Sequence, residues 1–273
     1  MPTTQRKRLF LCTIAALLCA VGAAAGLYHA LTYHYDAAIR HFAAGAPGGI
    51  AAAWLCIAGI LIGLVAALFL RREKNATTAA PGTLTTFAAI VTAFMLLAVF
   101  MMSVRTFSQN DILPQIRVVL TGLAAVYFFL VTSDKGHDSA VLPFVSMLPI
   151  LYAILAMLCT YFNAEYGMNS PVKTWDLAMY VFMALFFTAE ARCALRIPRP
   201  ASYAFCGIAC VVMCTANGIA HTLVALHDTV GHGFSLVEAA AWVCIALYAL
   251  SRLQHFGKST TPAEAPTEVT ADA

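Results

Sequence analysis

Residues 111–131 read DILPQIRVVLTGLAAVYFFLV. About 20 residues of helix, rising about 1.5 Å each, cross about 30 Å of hydrocarbon, and this stretch has that length and apolarity. It also carries Arg117 one to two turns in from its start. Asp111 is placed as an N-cap, and Pro114 falls in the first turn, where its missing N–H costs little. A charge inside a membrane helix is costly, about 2.5–3.5 kcal/mol at the helix centre and less near the surface. The stretch therefore decides two things together: the chain lives in a bilayer, and something at that depth has to meet a guanidinium.

Seven further runs have the same character. The spans are predicted at Leu9 to Tyr28, Ile50 to Leu70, Leu84 to Val104, Ile112 to Val131, Val141 to Phe162, Val172 to Ala191, Tyr203 to Leu226 and Phe234 to Leu253. Lipid offers the backbone no hydrogen-bond partners, so each run must satisfy its own as a helix. The fold class read from the sequence is an all-α polytopic transmembrane bundle of about eight helices. Residues 1–256 form the bundle, and residues 257–273, GKSTTPAEAPTEVTADA, lack apolar periodicity and are read as a disordered cytoplasmic tail. The first run follows RKR and contains AAA, yet it is read as a retained helix rather than a cleaved leader because the chain stays apolar after it.

Composition agrees. Across 273 residues, 61% are apolar and 11% charged, where a soluble domain carries about 25% charged residues. Mean hydropathy is +0.80. The formal net charge of +3 sits in short clusters beside apolar runs, not on the continuous basic surface that nucleic-acid binding needs. The partner this implies is the lipid bilayer, with no nucleic acid. No nucleotide-binding loop is present, which argues against an ATP-driven pump acting alone, and no motif implies a cofactor. The nine cysteines fall almost entirely inside apolar runs and read as small packing residues.

Lysine and arginine set the orientation. With both termini cytoplasmic, Arg6, Lys7, Arg8, Arg71, Arg72, Lys74, Lys135, Arg192, Arg196, Arg199, Arg252 and Lys258 fall inside, and Arg40, Arg105, Arg117 and Lys173 outside. Tyr28, Tyr33, Tyr35, Trp54, Tyr161, Tyr166 and Trp175 gather at the outer ends, as interfacial aromatics do. On this topology the triplet Asn75-Ala-Thr77 lies inside and reads as fortuitous for glycosylation. A four-plus-four repeat is conceivable from the arginine clusters that end the second and sixth helices, but residue-level similarity between the halves is lacking.

Two packing signals stand out. Gly22 and Gly26, and Gly59 and Gly63, are each four apart and let another backbone approach closely. They serve ordinary helix packing or, in the alternative, a helix-mediated homo- or hetero-oligomer. Glu190 and Arg192, two apart, face different ways on a helix, so Glu190 is expected to reach Arg71 or Arg72 instead.

Depth counting supplies candidate partners for Arg117. Asp176 lies about four residues into the sixth helix, Glu238 about four into the eighth, and His221 about five from the outer end of the seventh, so all share an outer-leaflet level at 1.5 Å per residue. Cys206, Cys210, Cys214, Asn217 and His221 form a stripe on one face of the seventh helix. The candidate ligand-binding residues are Arg117, Asp176, Asn217, His221 and Glu238. The outer loops add His29, His34, Asp36, His41, Glu165, His227, Asp228 and His232.

Three readings of the cluster compete. In a structural one, Glu238 or Asp176 neutralises Arg117, while Asn217 and His221 satisfy each other or a water. In a transport one, Arg117 supplies charge for an anion or a proton-coupled small solute, Glu238 and Asp176 exchange protons, and His221 titrates near neutrality. In a metal or enzyme one, the outer histidines and carboxylates bind zinc or copper, though no HExxH or CxxC pair supports it. The only D-x-x-x-D spacing, Asp134 to Asp138, spans a glycine in a short inner loop and reads as a solvated turn.

Residues 168–205 carry a further pattern: Asn169, Ser170, Pro171 and Lys173 at a helix start, Phe187, Glu190 and Arg192 at its end, then Pro198, Arg199 and Pro200. This resembles uncharacterised multi-pass bacterial membrane proteins sharing an N-S-P-x-K, F-x-x-E-x-R and P-R-P pattern. The resemblance implies a bacterial plasma membrane and brings no activity and no catalytic residues. The sequence thus points to an integral membrane protein without catalytic residues, most specifically a small-solute or ion transporter with an outward-facing polar pocket. The alternatives are a non-catalytic accessory or assembly protein and a metal-binding membrane protein.

Overall fold

Apolar residues on every side of a helix favour burial or lipid, and the chain uses both. The computed structural model describes residues 3–36, 40–43, 45–73, 82–105, 112–132, 141–164, 169–227 and 235–256. Among them are eight helices long and apolar enough to cross a membrane. These are α1 (Thr3–Tyr33), α2 (Pro47–Leu70), α3 (Thr83–Arg105), α4 (Ile112–Val131), α5 (Leu142–Phe162), α6 (Pro171–Ala194), α7 (Pro200–Leu226) and α8 (Leu236–His255). The chain is a multi-pass membrane protein. A short hairpin, β1 (Tyr35–Asp36) against β2 (His41–Phe42), joins α1 to α2.

Local chemistry sets several boundaries. Pro47, Pro171 and Pro200 open α2, α6 and α7 in the first turn, where no N–H is needed. The helix α5 is broken into Leu142–Val145 and Met147–Phe162. Pro149 has no N–H to offer the carbonyl four residues back, which falls at Val145, and at the same break the Ser146 hydroxyl donates to Pro143 O at 2.7 Å. The end of α6 is a tight reversal. Ile197 N donates to Arg192 O and Arg196 N to Cys193 O, with Arg196 held at φ 59°, the left-handed cap that glycine would more readily adopt. Pro198 then prevents continuation. The eighth helix starts two residues later than the sequence indicated, because Ser235 caps it by accepting from Glu238 N at 3.3 Å.

The helices are arranged as two plus six, and no four-plus-four repeat organises them. Helices α3, α4, α5, α6, α7 and α8 pack in that order, and α8 closes back on α3. The hairpin of α1 and α2 lies outside this circuit against α7. Helix α7 is consequently surrounded, and every residue from Cys206 to Gly218 is buried. The glycine pairs make this closeness possible. A Cβ on Gly48 would sit 2.5 Å from Gly26 O, one on Gly59 would sit 2.9 Å from Val212, and one on Gly63 would sit 3.1 Å from Ile208. Gly22 and Gly26 therefore serve the α1–α2 contact, and Gly59 and Gly63 the contact of α2 with α7. These glycine faces are filled from within the chain.

The middle of the six-helix circuit is filled by α4, α6 and α8, which are not neighbours around it. The Phe128 ring lies 5.8 Å from Phe187 and 5.1 Å from Tyr248, centroid to centroid. These three helices run in the same direction. The end where they begin also holds the β hairpin, since Ser170 donates to Arg40 O at 2.7 Å; we call it the distal end. At the proximal end the start of α1 and the finish of α8 line one cleft.

Candidate functional site

Arg117, in the second turn of α4, points into the circuit and donates through Nη2 to Glu238 Oε1. Glu238 sits in the first turn of α8, where the helix dipole favours negative charge. The same Oε1 accepts from the Tyr180 hydroxyl of α6 at 3.0 Å. Tyr152 of α5 stands within electrostatic reach of both charged partners. The Arg117 and Glu238 side chains are 25% and 23% exposed, so the pair is desolvated only in part.

Asp176 is one turn before Tyr180 on α6, buried, and within electrostatic reach of Glu238 and Arg117. Its Oδ1 has no hydrogen-bond partner among the described residues. Asn217 of α7 is also buried, and its amide donates to Trp175 O at 3.1 Å, the carbonyl next to Asp176, rather than to His221. Asn217 Oδ1 and the Trp242 indole N–H likewise lack partners among the described residues. His221 enters the cluster through an aromatic: its ring is 5.5 Å from that of Trp242, which in turn meets Tyr180 edge-on at 6.0 Å. Arg117, Asp176 and Glu238 are therefore brought together, Asn217 adjoins them through the α6 backbone, and His221 stands behind Trp242. The stripe on α7 is buried, with Cys210 and Cys214 sulfurs 3.8 Å apart.

A second ion pair occupies the proximal end, between two residues that the sequence did not pair. Arg252, counted among the inner-side charges, is buried, and its Nε and Nη2 donate to Glu190 Oε1 and Oε2 at 3.0 and 3.1 Å. Glu190 therefore meets Arg252 and not Arg71 or Arg72. The Tyr203 hydroxyl donates to Oε1, and that of Tyr127 to Oε2 at 3.4 Å. Tyr127 also hydrogen-bonds the Tyr248 hydroxyl at 3.2 Å. Phe256 closes the end by stacking on Tyr203 at 4.5 Å. The side chains of Arg252 and Glu190 are only 3% and 4% exposed.

One sequence signal would have found this second pair. Glu190 follows Asp176 by fourteen residues, and Arg252 follows Glu238 by fourteen. Fourteen residues are close to four helical turns, so each pair of charges lies on one face, about 21 Å apart. Because α6 and α8 run in parallel, the two levels coincide.

Among the described residues no three histidine, cysteine or carboxylate side chains converge on a metal position. Glu165, Asp228 and His232 lie outside the described residues, as do Asp111, the Asn75 triplet, the Asp134–Asp138 loop and the tail. Compared with protein-family models, curated proteins and solved structures, the chain matches none.

Proposed function

We propose that the chain is a small-solute or ion transporter of a bacterial plasma membrane. Both termini face the cytoplasm, and the polar cluster of Arg117, Asp176 and Glu238 opens outward. The observation that carries the reading is the difference in exposure between two ion pairs of like chemistry. The distal pair is about a quarter exposed and adjoins buried polar atoms without partners, while the proximal pair is sealed. Full enclosure carries the larger desolvation cost, so the distal pair is the less committed of the two. A pair held beside buried polar groups that lack partners among the described residues can part and re-form as a solute passes.

The orientation rests on Arg6, Lys7, Arg8, Arg71 and Arg72 at the proximal end, all exposed. Arg252 no longer counts toward it. An accessory role through the glycine faces has less support, since α2 and α7 already fill them.

Purified protein in liposomes, offered small labelled cations, zwitterions and anions in turn, tests the proposal. The expected result is uptake of at least one class above protein-free vesicles, abolished by Arg117→Ala with the fold intact. Uptake of every class at the protein-free rate contradicts it.

A further inference from the structure

The distal cluster contains two carboxyl groups, Asp176 and Glu238, and one guanidinium, Arg117. Glu238 holds Arg117 directly and takes the Tyr180 hydroxyl as well. Asp176 Oδ1 has no such partner among the described residues, although the residue is 4% exposed. A carboxylate oxygen buried without a donor is expensive, and the cost is relieved either by its own protonation or by a group that brings positive charge and hydrogen.

A second acceptor belongs to the residue that bonds the carbonyl preceding Asp176. Asn217 is fully buried, its amide nitrogen is fixed on Trp175 O, and its Oδ1 is therefore turned away from that bond and lacks a donor among the described residues. Carboxylate and amide oxygens from adjacent helices thus share one unmet requirement. The groups around them that carry or can acquire charge are Arg117 of α4, Tyr152 and Cys159 of α5, Tyr180 of α6, His221 of α7 and Glu238 of α8. Arg117 is the only fixed cation in this set, and Glu238 already engages it.

We propose that Asp176 and Asn217 form the binding site for the ammonium group of a small protonated amine, with Trp242 and Tyr180 as its aromatic wall. Three features select this class. An ammonium group has three donors and no acceptor, matching two bare oxygens. Aromatic faces attract such a cation further, most strongly when it is desolvated. A bare alkali or divalent ion would instead ask for a fuller shell of oxygens, about six to eight for calcium. The partly exposed Arg117–Glu238 pair lies at the level of Asp176 and is joined to the aromatic wall through the Tyr180 hydroxyl.

This inference names a substrate class for the transport reading and rests on the same cluster, but it is tested by binding alone. Of the three tryptophans, Trp242 walls the site, Trp175 adjoins it through the carbonyl that holds Asn217, and Trp54 is exposed on α2. Tryptophan emission of the full-length protein in detergent is followed while sodium chloride is exchanged for methylammonium chloride at constant ionic strength. The expected result is a saturable change that persists in Trp54→Phe. It weakens about ten-fold or more in Asp176→Asn, the loss of a charge-assisted hydrogen bond, and less in Asn217→Ala. Tetramethylammonium, which has no N–H donor, gives no such change. Because Asp176→Asn is isosteric, its unaltered thermal unfolding shows that the loss belongs to the site.

No methylammonium response, an equal response in Asp176→Asn, or an equal response to sodium and methylammonium overturns the inference. Infrared spectra showing Asp176 as a neutral carboxyl both with and without methylammonium also overturn it, in favour of a fixed proton. Saturable binding without flux in liposomes keeps the site and removes the transport reading. Flux without binding does the reverse.

Discussion

Helix α8 offers an internal comparison, because it holds one member of each ion pair on a single face. Near its start Glu238 meets Arg117, and near its end Arg252 meets Glu190. The charges are alike and the surroundings are not. Glu190 receives both arms of the guanidinium and two tyrosine hydroxyls, so its two oxygens are saturated within a sleeve of Tyr127, Tyr203, Tyr248 and Phe256. Glu238 receives one guanidinium arm and one hydroxyl on the same oxygen, and it keeps about a quarter of its surface exposed. Burial plus saturation makes the proximal pair a fastening between α6 and α8. Partial exposure plus neighbouring unmet acceptors makes the distal pair one that can respond to a ligand.

The largest expected effect is at the sealed pair. Arg252→Ala leaves Glu190 buried with tyrosines alone, and a loss of about 3–5 kcal/mol is expected, read as a large drop in detergent thermal stability. Replacing both members, Glu190→Leu with Arg252→Met, is expected to cost less than Arg252→Ala alone, since a buried pair exchanged for apolar groups is often near neutral. A double variant worse than the single would mean that the tyrosine network, rather than the charge, fastens this end.

Arg117→Ala is expected to lose less, about 1–2 kcal/mol in the same measurement, because water can reach the carboxylate left behind. Equal losses at Arg117 and Arg252 would erase the distinction. A finer contrast comes from the hydroxyls. Tyr203→Phe removes a fully buried donor to Glu190, and Tyr180→Phe one to the partly exposed Glu238. The former is expected to cost about 1.5–3 kcal/mol and the latter visibly less.

Much of this arrangement was legible in the sequence, for physical reasons that also mark where reading stopped. Hydropathy places all eight spans because hydrocarbon thickness imposes a length. It leaves the ends loose, and so α1 runs from Thr3 to Tyr33 rather than from Leu9 to Tyr28. Depth counting brought Arg117, Asp176 and Glu238 to one level because rise per residue is nearly constant. Which carboxylate takes Arg117 depends on the order of helices around the circuit, and no spacing encodes that order. Glu190 and Arg252 were not paired because Glu190 was directed to Arg71 or Arg72 and Arg252 was counted among the inner-side charges. The fourteen-residue repeat on α6 and α8 held the information. Tyr127, Tyr180, Tyr203 and Tyr248 were silent, since a tyrosine in an apolar run shows nothing of where its hydroxyl ends.

The difference in hydration can be read on the unaltered protein by hydroxyl-radical footprinting with mass spectrometry, which marks side chains that share space with water. Tyr180 and Tyr203 are both almost fully buried, yet one serves Glu238 and the other Glu190. The account predicts that Tyr180 and Trp242 are oxidised several-fold faster than Tyr203 and Tyr248. Equal protection at the two ends, or faster oxidation around Glu190, would contradict it.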